Sequence, residues 1–192
     1  LRMSRGLGDV YKRQILDCKK QGKVYIHKAI VDKGSIKTGD VIKMSVEKEK
    51  RSAIAIHHSS THLVHAALRA VLGDHVQQKG SLVDENKLRF DFSHTKPLTK
   101  EEITKIEDIV NKEALKNLEV KTELMKLDDA LKSGAMALFG EKYDDDVRVL
   151  TMGENSYSVE LCGGTHVNRT GDIGFFVITN QSSVASGIRR IE

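Results

Sequence analysis

The stretch IAIHHSSTHLVHAALRAVLG, residues 54–73, is the part of the sequence that decides the fold. Apolar residues recur along it at helical spacing, and Gly73 follows the last of them as a helix stop. The pattern predicts an amphipathic helix whose apolar face packs against a core. His58 and His62 are four residues apart on this helix, so both imidazoles lie on one face and can reach a single ion.

A second pair of residues with metal-ligand chemistry stands far downstream, in CGGTH, residues 162–166. Cys162 and His166 offer a thiolate and an imidazole, which are ligands that Zn²⁺ prefers. The two glycines between them let the backbone turn tightly around an ion. We therefore predict one zinc site assembled from two distant segments, with His58, His62, Cys162 and His166 as its ligands.

The role of this predicted site has more than one interpretation. Four protein ligands close a structural zinc site, whereas three leave a position for water or substrate, and the sequence offers four or more. His65 lies on the same helical face and is a spare ligand, a residue that hydrogen-bonds to a ligand, or a nucleic-acid contact. A metalloprotease helix carries Glu after its first His, but Ser59 stands after His58, which disfavours a protease.

Composition and charge describe an ordinary globular chain of 192 residues, 39% of them hydrophobic. The formal net charge is +4, but without residues 1–14 only 27 Lys and Arg face 26 Asp and Glu. An RNA-binding face would therefore be a local patch. Two cysteines are too few for a disulfide framework, and there is no secretion signal or apolar run of about twenty residues. These features predict a cytoplasmic location and no membrane partner.

The order of predicted elements divides the chain into three regions and indicates an α+β fold. Residues 1–14 lack apolar periodicity, and we interpret them as a non-native leader, with a disordered native tail as the alternative. Residues 15–50 contain short apolar runs broken by glycines, which predicts a small β-barrel-like module. Residues 51–192 mix helical and strand patterns, which predicts helices packed on a largely antiparallel sheet.

Several elements within residues 51–192 have clear signals. Thr99 and Glu102 match the capping-box pattern at the start of a helix whose apolar stripe continues to Leu118. A further helix is predicted from Asp128 to Phe139, with Gly140 as its stop. Strands are predicted at residues 88–92, 120–127, 147–152, 157–161 and 173–178, with another near the C-terminal residues 188–192.

Four segments together resemble the editing domain of alanyl-tRNA synthetases. They are HSSTHLVHAALRAVLGDHVQQKGS (58–81), RFDFSH (89–94), GAMALFGEKY (134–143) and CGGTH (162–166). The resemblance runs from about Lys23 to the last residue. Free-standing alanyl-tRNA deacylases and the editing domain of threonyl-tRNA synthetases are similar in the two metal-type pairs. The chain departs from the family pattern at His57, where Asn is frequent, and it is slightly longer at residues 154–159.

This resemblance implies a fragment that hydrolyses Ser-tRNA(Ala) and Gly-tRNA(Ala) with Zn²⁺. Its partners would be the acceptor end of tRNA(Ala) and the rest of a synthetase chain. A pocket that binds alanine rejects serine or glycine weakly, because one added hydroxyl or one missing methylene changes the binding free energy by only about 1–3 kcal/mol. A second, hydrolytic site is therefore needed to remove these errors. Thr61 and Gln78 are the predicted catalytic residues. Thr61 would match the serine hydroxyl, or it bonds its own helix backbone. The alternative function is a non-catalytic tRNA-binding module with a structural zinc.

Overall fold

A computed structural model describes residues 2–4, 13–22, 24–31, 34–137 and 143–192. The chain divides into two compact units, Leu1–Arg51 and Ser52–Glu192. Helices and antiparallel sheets are both present, which confirms the predicted α+β class. Residues 138–142 lie outside the described residues, and with them part of the GAMALFGEKY motif and the predicted helix stop at Gly140.

The first unit contains a four-stranded antiparallel sheet in the order β3-β2-β1-β4. Its strands are β1 (Arg2–Ser4), β2 (Arg13–Gln21), β3 (Val24–Val31) and β4 (Lys43–Ser45). Strand β1 pairs with both β2 and β4, so residues of the predicted leader are paired within a sheet. No closed barrel forms among the described residues of this unit.

The second unit combines two antiparallel sheets with the helices, and α1 (Lys48–Leu72) enters it at Ser52. One sheet has the order β10-β11-β6-β5 and the other the order β7-β8-β9. The strands are β5 (Gln78–Val83), β6 (Leu88–Ser93), β7 (Lys121–Lys126), β8 (Asp146–Met152), β9 (Ser158–Leu161), β10 (Gln181–Ala185) and β11 (Ile188–Ile191). The remaining helices are α2 (Lys100–Leu115), α3 (Leu127–Lys132) and a 3₁₀ helix at Thr170–Ile173.

The main core forms where α1 packs in the second unit. Leu63 and Leu68 of α1 are fully buried and belong to one cluster with Phe90 and Phe92 of β6 and Ile106 of α2. The helical spacing of the apolar residues in α1 produces this single buried face. His62 and His65 of α1 are buried with these apolar residues, whereas His57 and His58 are partly exposed. Among the described helices, none combines the length and the apolar character that a bilayer crossing requires.

The predicted start of α2 is confirmed by its hydrogen bonds. Thr99 Oγ1 accepts from the backbone N–H of Glu102 at 3.1 Å, and Glu102 Oε2 accepts from the backbone N–H of Thr99 at 2.7 Å. The helix ends at Leu115, three residues before the predicted end at Leu118. Asn117 has a φ of 50°, a left-handed conformation that a continuing helix does not allow.

Two predicted elements differ from the structure. Residues 173–178 are not a strand, because α2 side chains take the hydrogen-bonding role of a neighbouring strand. Asn111 Oδ1 accepts from the backbone N–H of Phe176 at 2.8 Å, and Glu107 Oε1 accepts from that of Ile178 at 2.7 Å. The helix predicted from Asp128 ends at Lys132, and Gly134 follows with a φ of 87°. Glycine adopts this conformation readily, so the helix stops there rather than at Gly140.

Candidate metal centre

The four predicted ligands come together in the second unit. The ligand atoms of His58, His62, Cys162 and His166 all lie within 4.8 Å of one another. The ring centroid of His58 is 5.1 Å from that of His62 and 4.4 Å from that of His166. Cys162 Sγ lies 3.5 Å from Nε2 of His58. Residues of α1 and of the loop after β9 therefore form one compact group that can hold a metal ion.

The donor atoms of this group fit a transition-metal ion. Nε2 of His62 and Nε2 of His166 are buried, and neither has a hydrogen-bond partner among the described residues. A buried nitrogen without a partner costs free energy, and coordination to an ion would remove that cost. Thiolate and imidazole donors suit transition-metal ions, whereas Mg²⁺ and Ca²⁺ prefer oxygen ligands.

The electrostatics of the group favour a deprotonated thiol. Burial raises the pKa of Cys162, but the neighbouring imidazoles of His166, His58 and His62 lower it by more than burial raises it, to about 3. Burial lowers the pKa of His62, yet contacts with Cys162 and Glu160 raise it to about 9. Burial lowers the pKa of His166 below its ordinary value.

Glu160 is a buried residue of the centre that the sequence patterns did not single out. Its Oε2 accepts a hydrogen bond from Nδ1 of His62 at 2.8 Å, and its Oε1 lies 3.2 Å from Nδ1 of His65. Burial raises the pKa of Glu160, but the hydrogen bonds from both histidines hold it well below its ordinary value. A carboxylate on Nδ1 orients the imidazole and leaves Nε2 for the ion. The sequence did contain a signal for Glu160, since it stands two positions before the candidate ligand Cys162 and residues at that spacing share one face of a strand.

His65 is not a member of the ligand group. His65 instead borders a cavity of about 230 Å³ that is also lined by Arg69 and Gln78. Gln78 is paired with Phe92 in the register of β5 and β6, so its side chain lies on the same side of the sheet as the core. The structure thus brings Gln78 together with His65, one helical turn beyond His62.

The hydroxyl of Thr61 is hydrogen-bonded to the backbone of its own helix. It is 4% exposed, and its Oγ1 donates a hydrogen bond to the backbone carbonyl of His57 at 2.9 Å. The hydroxyl proton is therefore committed to the helix backbone, as in the alternative interpretation of this residue. The lone pairs of the oxygen remain able to accept a hydrogen bond.

The CGGTH loop is anchored to β8 by Arg148 and lies close to α1 at Gly164. Arg148 of β8 donates from Nε to the carbonyl of Cys162 at 3.0 Å, and its guanidinium also donates to the carbonyl of Gly164. A Cβ added at Gly164 would overlap the ring of His58, whereas a Cβ at Gly163 would meet nothing within 4 Å. Glycine at position 164 therefore permits the close approach of the loop and α1.

Comparison with protein families finds a match for the C-terminal part of the chain. Residues 147–192 match the threonyl and alanyl tRNA synthetase second additional domain. This matched segment contains Glu160, Cys162 and His166, and it does not include the histidines of α1.

Comparison with curated proteins covers most of the chain. The chain is 56% identical over 183 residues to the alanine-tRNA ligase of Rhodopseudomonas palustris, and the alignment covers 91% of this chain and 21% of that protein. The alanine-tRNA ligase of Parvibaculum lavamentivorans is 57% identical over 180 residues, with 91% and 20% covered. That of Ruthia magnifica is 55% identical over 174 residues, with 91% and 20% covered. The chain spans about a fifth of the length of these relatives.

Proposed function

The chain is homologous to the part of alanyl-tRNA synthetases that contains the second additional domain, and we propose that it hydrolyses Ser-tRNA(Ala) and Gly-tRNA(Ala). In this reaction water adds to the ester carbonyl carbon and the bond to the ribose oxygen breaks. The products are the free amino acid and the uncharged tRNA. The observation that carries the proposal is the ligand group of His58, His62, Cys162 and His166, whose ligand atoms lie within 4.8 Å of one another.

The proposed ion is Zn²⁺, because this donor set combines a thiolate with imidazoles. His58, His62 and Cys162 would hold it, and His166 would act as a fourth ligand or as a polar neighbour. When bound, zinc supplies Lewis acidity to ester hydrolysis. Glu160 keeps a proton on Nδ1 of His62 and so directs Nε2 of that ring to the ligand group.

The proposed partners follow from the relatives. The relatives are alanine-tRNA ligases. The proposed substrate is therefore the acceptor end of tRNA(Ala) with its attached amino acid. The rest of a synthetase chain is the proposed covalent partner. Thr61 and Gln78 are proposed to contact the substrate, since the first offers an acceptor oxygen and the second lines the cavity. A cytoplasmic location is proposed because reducing conditions keep the Cys162 thiol available.

Serine release from Ser-tRNA(Ala) tests this proposal directly. The zinc-loaded chain should release serine, treatment with a chelator should stop the release, and added Zn²⁺ should restore it. Metal analysis should find about one zinc per chain, since one such ligand group is present among the described residues. Cys162→Ala should lose most of the metal and the activity together. A zinc-loaded chain that releases neither serine nor glycine would refute the proposed reaction.

One observation favours a second candidate function. Four donor atoms within 4.8 Å of one another are enough to close a tetrahedral zinc site without water or substrate. The chain would then be a tRNA-binding module in which zinc only stabilises the fold. This function predicts that the zinc-loaded chain binds tRNA(Ala) without hydrolysing it, and that chelation unfolds the second unit.

A further inference from the structure

Ser59 is a buried polar residue of α1 that follows the ligand His58 directly and is not itself a member of the ligand group. It is 0% exposed. Its Oγ lies 3.5 Å from Nδ1 of His166 and accepts a hydrogen bond from the backbone N–H of Val167 at 3.1 Å. One hydroxyl thus contacts both the side chain of a candidate ligand and the backbone of the next residue. Ser59 therefore joins α1 to the end of the CGGTH loop.

The hydroxyl of Ser59 differs in its use from those of the two residues that follow it. Ser60 donates to the backbone carbonyl of Ile56 at 2.9 Å, and Thr61 donates to that of His57 at the same distance. Such bonds to the preceding turn are usual for hydroxyl residues within a helix. The partners of Ser59 instead lie 107 and 108 positions away along the chain. Its hydroxyl therefore serves a tertiary contact at the metal centre.

The contact with Ser59 distinguishes the two ring nitrogens of His166. Nδ1 faces Ser59 Oγ, whereas Nε2 is buried and has no hydrogen-bond partner among the described residues. The centroid of the His166 ring lies 4.4 Å from that of His58 and 5.1 Å from that of His62, so the ring is within the ligand group. A nitrogen that is engaged in a hydrogen bond is not free for an ion. Nε2 is therefore the nitrogen of His166 that remains for coordination.

An imidazole in this position needs such a contact to keep one orientation. The torsion that turns a histidine ring is broad and roughly two-fold, so a half turn exchanges the places of the two nitrogens. His62 is fixed by Glu160, whose Oε2 accepts from its Nδ1 at 2.8 Å. Ligating histidines generally donate their other N–H to an oxygen in this way. Ser59 offers the corresponding oxygen to His166.

We propose that Ser59 is a positioning residue of the metal centre, which accepts a hydrogen bond from Nδ1 of His166 and so directs Nε2 of that ring to the ion as the fourth ligand. A hydroxyl oxygen has two lone pairs, so Ser59 accepts from His166 and from Val167 together. The inference rests on the zinc site of the proposed function and deepens it by naming the residue that orients the ligand on the loop.

The affinity for Zn²⁺, measured on the full chain by competition with a chromogenic chelator, tests this role. Ser59→Ala should bind Zn²⁺ about tenfold more weakly, the effect expected when an outer partner of a ligand is lost. Ser60→Ala is the matched control, since it removes the same hydroxyl from the next residue of α1, and it should keep the affinity.

A double-mutant cycle separates an effect through His166 from a general loosening of the loop. If Ser59 acts through His166, adding Ser59→Ala to the His166→Ala chain should change the zinc affinity no further. A purely structural role would weaken zinc binding in that background as well, because the loop also carries Cys162, and this result would overturn the assignment. Unchanged affinity in the single variant Ser59→Ala would overturn it too.

A measurement on the unaltered chain does not depend on the folding of any variant. The chain is labelled with ¹⁵N-histidine and loaded with ¹¹³Cd²⁺, and NMR should show coupling of the metal to Nε2 of His166 and a proton on its Nδ1. Coupling to Nδ1, or no coupling to His166, would contradict the proposed orientation. Failure of the proposed function would appear differently, as a zinc-loaded chain that shows the expected affinities and releases no serine from Ser-tRNA(Ala).

Discussion

At the scale of single residues, Glu160 controls how His62 is presented to a metal ion. Its carboxylate holds Nδ1 of His62 at 2.8 Å, and this contact leaves Nε2 for coordination. Glu160→Gln keeps the size of the side chain but removes its charge. We expect the affinity for Zn²⁺ to fall about 10–100-fold, the usual cost of losing such an outer contact. Competition with a chromogenic chelator measures this change.

Glu154→Gln is the matched control for this residue. Glu154 has a side chain that is 59% exposed and pairs with Lys116, away from the ligand group. The control should therefore keep the zinc affinity of the unaltered chain. If Glu160→Gln also keeps it, the carboxylate does not orient His62 in the way that we describe.

At the scale of elements, the loop after β9 depends on its close approach to α1. A Cβ at position 164 would overlap the His58 ring, whereas position 163 has open space and no positive φ. Gly164→Ala should destabilise the chain by about 1–3 kcal/mol through overpacking, and it should weaken zinc binding by moving His58. Gly163→Ala is the control and should change neither. Urea unfolding and zinc titration of both variants check this, and similar behaviour of the two would contradict the packing argument.

At the scale of the whole molecule, the metal centre and the N-terminal sheet belong to different units. The four ligands lie within Ser52–Glu192, while β1 lies within Leu1–Arg51. Deleting residues 1–14 removes β1, which pairs with β2 and β4, so the first unit should lose thermal stability. Zinc content should stay at about one per chain. Loss of zinc would contradict the independence of the metal centre, and unchanged unfolding would show that the paired leader residues are dispensable.

Local patterns explain why much of the fold could be predicted. The apolar spacing of residues 54–73 predicts the helix that the structure shows as α1, and Thr99 with Glu102 predicts the start of α2. Residues 173–178 show the limit of such patterns. Their apolar character suggested a strand, but Asn111 and Glu107 of α2 take up their backbone N–H groups. No periodicity within a segment reveals a partner that lies on another element.

The sequence by itself determined the α+β class, the helical face that carries His58 and His62, and the ligand chemistry of Cys162. These properties depend on residue type and on spacing within a few positions, which helical and strand periods translate directly into geometry. Only the tertiary structure decided how the two segments meet, that Glu160 joins His62 to His65, and that His65 borders a cavity. Glu160 and His62 are 98 positions apart, and a contact across that separation is set by packing of the whole unit rather than by local spacing.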